Sequence, residues 1–300
     1  MKVWLDGAIV DGADARIPVL DHGLLYGDGV FEGIRVYGRR VFRLDDHLRR
    51  LGVSARAIGL EIPGGLATLR EIVIATARAF GRDDAYVRLI VTRGLGPLSV
   101  DPSKCTGARI ICIVDEVSLY DRSKLERGID MVTVSIRRPA PDALDPQVKS
   151  LNYLNNALAI QEARLRGADD ALVLNARGTV AEASAANVFL VRDGTMATPL
   201  VSDGALEGIT RASILELASA LAMPAYERTI TRTDLLGADE VFLTGTGARI
   251  VPVRSLDGQV LGAGTHPVTT RILEAFRRYV QTNGVALDCK PDSAVAAASV

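Results

Sequence analysis

Apolar and polar positions alternate at the start of the chain, and Trp4-Leu5-Asp6-Gly7-Ala8-Ile9-Val10 predicts a hairpin turning on Asp6-Gly7. Residues 30–36 and 41–43 read as strands joined across Tyr37-Gly38-Arg39-Arg40. Asp45 is placed to cap a helix that begins at Asp46 and sets Leu48, Leu51 and Ala55 on one side. The helical period returns over 65–80, and Gly81 supplies its stop. Residues 85–92 and 109–114 are strand-like, with the glycine-rich loop 93–98 between them.

Around residues 118–123 the apolar pattern gives way to a short polar stretch, which places a domain boundary there. The predicted division is a small N-terminal α/β domain over 1–118, a linker at 119–124 and a larger domain over 125–288. The second part predicts a strand at 130–136, a proline-rich loop leading to Lys149, and a helix from Leu151 that ends at Gly167. Strands follow at 171–174 and 187–191, the latter turning at Asp193-Gly194. Thr210 can cap a helix running to about 222, residues 241–244 form a strand into Gly245-Thr246-Gly247, and 267–280 form a last helix. The Ala- and Ser-rich end, 289–300, is expected to fray.

Composition narrows the class of protein. With 48% hydrophobic and 24% charged residues, the 300-residue chain has the make-up of a globular protein with ample core. A formal net charge of −1 excludes a binder that relies on basic excess to neutralise nucleic-acid phosphates. No apolar run reaches membrane-spanning length, and Asp6 interrupts what a signal peptide would need as its apolar centre. Cys105, Cys112 and Cys289 match no zinc spacing, and three histidines make a histidine-rich metal site unexpected. A cytoplasmic enzyme or binding protein is the expectation.

Five lysines stand against thirty arginines. An ammonium can lose its proton and act as a nucleophile, whereas a guanidinium stays charged. Lys149, after Pro139, Pro141 and Pro146, sits where an amine can be held and partly desolvated for Schiff-base chemistry. Glu182 lies among alanines, where a carboxylate is costly to bury unless a positive group meets it. Leu206-Glu207-Gly208-Ile209-Thr210-Arg211 pairs a glycine with a helix N-terminus, a seat that suits a phosphate. Thr244-Gly245-Thr246-Gly247 could add an anion nest at a strand end. Taken singly, Lys149 reads as readily as a surface amine, Glu182 as a turn residue, Arg50 as a surface helix arginine and Leu206 as core.

In order along the chain come Tyr26-Gly27-Asp28-Gly29-Val30-Phe31-Glu32-Gly33-Ile34-Arg35, His47-Leu48-Arg49-Arg50-Leu51, Tyr86-Val87-Arg88, Lys149-Ser150-Leu151-Asn152-Tyr153 and Glu182-Ala183-Ser184-Ala185-Ala186-Asn187-Val188-Phe189. Together with the two phosphate-seat segments, these motifs resemble a fold type IV pyridoxal-phosphate enzyme, and within that class a branched-chain amino-acid aminotransferase. The resemblance implies a two-domain α+β or α/β fold whose larger domain binds pyridoxal 5′-phosphate. It gives Lys149 the Schiff base and the proton shuttle, Glu182 the pyridine nitrogen, and Tyr153 the phenolic oxygen. Arg50, the Ile209 and Thr210 amides beside Gly208, and Thr246 would bind the phosphate, with Leu206 against the ring. Tyr153, four residues after Lys149, would face the same side of a helical turn.

The same resemblance implies a substrate pocket of Tyr26, Phe31, Gly33, Tyr86, Arg88, Thr246 and Gly247. Arg88 would meet the distal carboxylate of glutamate or 2-oxoglutarate above an apolar wall for leucine, isoleucine or valine. Tyr26 and the loop 94–98 would reach a neighbouring subunit's active site, implying a homodimer at least. The short Lys149-Ser150-Leu151-Asn152-Tyr153 form is shared with D-amino-acid aminotransferases and leaves that activity, (R)-amine transamination and aminodeoxychorismate lysis as alternatives. A non-catalytic phosphate-ligand binding protein is the alternative from another class.

Overall fold

The computed structural model describes residues 1–117 and 120–287. Ser118 and Leu119, where the expected domain boundary falls, and the whole expected tail at 289–300 lie outside the described residues. Two sheets organise the chain. The first runs, edge to edge, Val285–Ala286, Arg40–Val41, Gly29–Tyr37, Ala85–Thr92, Arg109–Asp115, Lys2–Leu5 and Ala8–Asp11. The second runs Ala225–Glu227, Thr195–Thr198, Asn187–Arg192, Glu240–Gly245, Arg249–Leu256, Ile129–Arg137, Asp170–Leu174 and Val180–Ala183, with Gln259–Val260 paired to Arg249–Leu256. The mixed helix and sheet content is that of a two-domain α+β fold.

Period-two patterning decides which face of the first sheet is core. Along Ala85–Thr92, Ala85, Val87, Leu89 and Val91 are buried while Tyr86, Arg88 and Ile90 point the other way. The buried set meets helices Leu44–Ala57 and Gly65–Phe80 through Leu48, Leu51, Ala55, Leu69, Val73 and Ala77. Each large apolar side chain buried there stabilises the fold by roughly 1.5–3 kcal/mol. Tyr86 and Arg88 are left on the opposite face, outside that core. In the second sheet Phe189 and Phe242 occupy paired register positions and stack at 5.0 Å. Helices Ile209–Ala220 and Pro267–Thr282 cover that face through Ile214, Ile272 and Phe276, in a cluster that also takes Tyr37 and Phe42 from the first sheet region.

The hairpin on Asp6-Gly7, the helix to Gly81 and the strand over 85–92 form as expected. Three expectations are corrected. Arg43, in a left-handed conformation, caps the helix Leu44–Ala57, and Asp45 and Asp46 fall in its first turn, where they complement the helix dipole. The helix after Lys149 begins at Leu154, because Phe31 N–H donates to the Lys149 carbonyl (3.0 Å) and Leu151 N–H to that of Gly29 (2.9 Å). Residues 149–151 are thereby drawn out as an extended segment along the strand Gly29–Tyr37. Gly208, rather than Thr210, caps the helix that starts at Ile209. Beyond the last helix, Val285–Ala286 pair with Arg40–Val41, so the chain returns to the first sheet at its far end.

Strands Val180–Ala183, Thr195–Thr198 and Arg249–Leu256 lie outside the predicted set. Pro252 disguises the last, since proline lacks the N–H a central strand needs. Here the parallel partner Ile129–Arg137 pairs only from Val253 onward, which spares that donor. Among the described residues no helix is long and apolar enough to cross a membrane.

Candidate active site

A cavity of about 260 Å³ opens between the outward face of the first sheet and the strand ends of the second. Lys149 enters it from the extended segment, its backbone N–H donating to Ser54 Oγ at 3.0 Å. Its Nζ donates to Tyr153 Oη at 2.9 Å and lies 4.6 Å from the centre of the Phe31 ring. Phe31 and Tyr153 meet edge to face at 4.8 Å. The amine is therefore held between two rings, one of which presents it a hydroxyl. The expected Lys149–Tyr153 pairing forms, but through a turn ahead of the helix and not through helical spacing.

Glu182 is buried on Val180–Ala183 and meets a positive group from the protein itself. Arg138 Nη2 lies 2.8 Å from Glu182 Oε1, while Oε2 accepts from Leu206 N–H at 3.0 Å and from Asn187 Nδ2 at 3.4 Å. Arg138 is itself fixed by donating from Nε to the Gly204 carbonyl (3.1 Å) and from Nη1 to Asn156 Oδ1 (3.3 Å). The carboxylate is thus aimed by three partners before any ligand arrives.

Arg50 comes from the helix Leu44–Ala57 and forms a two-pronged pair with buried Glu32, Nε to Oε1 at 2.7 Å and Nη2 to Oε2 at 2.8 Å. Its Nη1 donates to the Glu207 carbonyl at 2.7 Å, tying that helix to the Gly208 turn. His47 Nδ1 lies 2.8 Å from Glu32 Oε2. Burial alone would raise the Glu32 carboxyl, but Arg50 and then His47 hold it well below the usual carboxylate range. Burial holds His47 below its usual value against the pull of Glu32. Gly208 is bare for a reason: a Cβ there would sit 2.1 Å from Asn187 Oδ1. Asn187 in turn donates to the Leu206 carbonyl at 2.9 Å.

Lys149, Tyr153, Glu182, Arg50, Leu206, Gly208, Ile209, Thr210 and Thr246 all line this one cavity, as do Phe31, Gly33, Tyr86, Arg88 and Gly247. Tyr26 does not. It ends the helix His22–Tyr26, is 37% exposed, and packs edge-on against His22 at 4.9 Å. Arg88 lies over Phe31 (4.5 Å) and Tyr86 (5.6 Å) and has no hydrogen bond or ion pair to another described residue. Sequence reasoning missed Arg138 and the roles of Glu32 and His47; in the expected nest at 244–247, the buried Thr244 Oγ1 has no hydrogen-bond partner among the described residues. A signal existed for Glu32, a charge inside an apolar strand. Arg138, one arginine among thirty, offered none.

An amine, a pre-aimed carboxylate and a helix N-terminus face one cavity, and the chain belongs to the class IV aminotransferases, whose family model matches residues 29–256. Within that class the chain is similar to branched-chain enzymes. The branched-chain-amino-acid aminotransferase of Pseudomonas aeruginosa is 38% identical over 280 residues, 91% of each chain. The branched-chain aminotransferase of the archaeon Thermoproteus uzoniensis, solved with norvaline, is 41% identical with a TM-score of 0.87, covering 93% of this chain and 94% of that one. The branched-chain amino acid aminotransferase of Thermobaculum terrenum, solved in its PLP-form, superposes with a TM-score of 0.83 at 31% identity, over 93% of each chain. Class IV aminotransferases use pyridoxal phosphate.

Proposed function

We propose that this chain moves amino groups between branched-chain L-amino acids and 2-oxoglutarate, with pyridoxal 5′-phosphate held in the cavity. One observation carries the reading: the amine of Lys149, the carboxylate of Glu182 and the donors around Gly208 reach the same cavity from separate elements. That donor set fits a phosphorylated pyridine aldehyde. Arg50, the Ile209 and Thr210 amides, the orphaned Thr244 hydroxyl and Thr246 suit the phosphate, the Glu182 carboxylate suits the ring nitrogen, and Tyr153 suits the phenolic oxygen. When bound, the cofactor supplies an electron sink for the pair left behind as the substrate Cα–H bond breaks.

The protein's own groups do the rest. Lys149 Nζ would hold the cofactor covalently and, when free, would take and return the proton at the substrate Cα. Tyr153 Oη orients that amine. Glu182, kept in place by Arg138, Leu206 N–H and Asn187, offers a negative charge to the ring. Arg88 answers the acceptor's distal carboxylate, while the Phe31 and Tyr86 rings beneath it receive an aliphatic side chain that stops short of the charge.

A second copy of the chain is the partner we infer. The isolated bridge between Asp21 and Leu95 sets two segments side by side, and their neighbourhood exposes Val19 (74%), Leu24 (59%) and Leu98 (78%). Tyr26 and the loop 94–98 would then serve the partner's cavity.

The test is reduction of the purified holoenzyme with borohydride, followed by peptide mapping, with L-leucine, D-alanine, (R)-1-phenylethylamine and aminodeoxychorismate assayed separately. The expected result is a phosphopyridoxyl adduct on Lys149 and turnover of L-leucine. Turnover of D-alanine alone would reassign the enzyme to D-amino acids, and pyruvate release from aminodeoxychorismate would make it a lyase. A folded protein that takes up no cofactor would leave only the ligand-binding reading.

A further inference from the structure

Behind the active-site cavity lies a smaller one of about 160 Å³, walled by Arg35, Arg249, Val117, Tyr120, Gly247 and Ala248 among others. Val117, Gly247 and Ala248 also line the active-site cavity, so one turn separates the two. Arg35 comes from the core strand Gly29–Tyr37 and is only 7% exposed. Arg249 opens the strand Arg249–Leu256 from a left-handed conformation, φ 64°. Both guanidinium carbons lie near the Tyr37 ring, at 6.0 and 5.4 Å from its centre.

The two cations lack what normally accompanies buried arginine. Arg35 Nε and Arg249 Nε are each buried with no hydrogen-bond partner among the described residues. Arg35 Nη1 donates to the Val117 carbonyl at 3.2 Å, and the Tyr37 hydroxyl is the other polar group acting on it at close range. Neither guanidinium is within ion-pair distance of a carboxylate among the described residues. Asp84, the acid whose charge acts on Arg35, accepts instead from Gly38 N–H at 3.1 Å. Burial, and next the charge of Arg249, push the Arg35 guanidinium below its usual value. Burial of Arg35 strengthens its repulsion by the neighbouring Arg249, and a shared anion offers each planar fork the acceptors it lacks.

We propose that Arg35 and Arg249 form a binding site for a small oxyanion, on the far side of the Gly247-Ala248 turn from the active site. The anion's occupancy fixes that turn, and through it one wall of the substrate cavity. A carboxylate and an inorganic oxyanion share the required chemistry.

The test is thermal unfolding of the cofactor-saturated enzyme, titrated with acetate or sulfate at constant ionic strength, for the wild type, Arg249→Glu and Arg249→Asn. Glutamate supplies an internal partner for Arg35. Asparagine removes the charge yet tolerates the left-handed backbone. At about tenfold the dissociation constant, wild-type Tm should rise by roughly 2–4 °C, and whichever anion acts at lower concentration identifies the source. Both variants should lose that response, with Arg249→Glu starting from a higher Tm than the wild type in anion-poor buffer. Equal shifts in all three proteins would place the anion elsewhere, in the active site for instance. No shift in the wild type with either anion would also overturn the proposal.

Discussion

Arg138 shows how a single side chain alters the reading of the site. Glu182 is aimed at the cavity, yet its charge is already shared with a buried guanidinium at 2.8 Å. Removing one partner of such a pair leaves the other charged and unpaired in the interior. Arg138→Met should therefore lower the unfolding free energy of the cofactor-free protein by about 3–5 kcal/mol in urea titration. A loss below about 1 kcal/mol would mean that Leu206 N–H and Asn187 suffice to hold the carboxylate. Arg88→Ala should raise KM for 2-oxoglutarate by at least about tenfold while changing leucine little, since only the acidic substrate uses that charge. Equal losses for both substrates would count against the assigned role.

The buried trio Glu32, His47 and Arg50 sets a pH dependence whose sign follows from the shifts. His47 is held low when folded, so below about pH 6.5 the unfolded chain binds a proton that the native protein does not, and stability falls. Glu32 is also held low, so its contribution is present above its unfolded value of 4.5 and is lost as pH falls further. The expected profile from urea unfolding between pH 8 and pH 4 is a decline in two stages, with His47→Gln flattening the upper one. An unchanged upper stage in that variant would assign it to another group.

At the level of elements, backbone without side chains shapes the cavity. Gly33 lies on the buried central strand, where a Cβ would sit 2.2 Å from Tyr86 Oη. The Tyr86 ring can cross the strand only because that space is empty. Gly33→Ala should displace the ring, narrow the substrate pocket and raise KM for leucine, while leaving the absorbance of bound cofactor unaltered. Loss of cofactor instead would show that the strand itself had shifted. The helix Leu154–Leu165 makes a complementary point. Apolar spacing shows its existence and its end but sets its start three residues early, because 149–151 are claimed by Gly29 and Phe31. That competition is between segments more than a hundred residues apart, and no local pattern reports it.

Across the whole molecule, the two sheets are joined by more than the cavity. Tyr37 and Phe42 share a core with Phe189, Phe242 and Phe276, and Val285–Ala286 close the first sheet from the far end of the chain. The exposed apolar residues near Asp21 and Leu95 give the partner surface its test. Analytical ultracentrifugation should show a dimer, and Leu24→Arg should shift it toward monomer with at least about tenfold lower turnover, because a desolvated charge at an apolar contact is costly. A monomeric wild type with full activity would remove the second copy from the site.

The linear order of residue types determined which groups could do the chemistry. A scarce lysine, a carboxylate among alanines and a glycine before a helix start are chemical facts that folding cannot alter, and all three point into one cavity. Periodicity likewise decided that Ala85–Thr92 would turn Tyr86 and Arg88 away from its core. Tertiary structure alone decided the company those groups keep. Arg138 beside Glu182, Glu32 beneath Arg50, and Arg35 near Arg249 each join residues from separate segments. Desolvation makes such charges costly or useful only once the chain has closed around them.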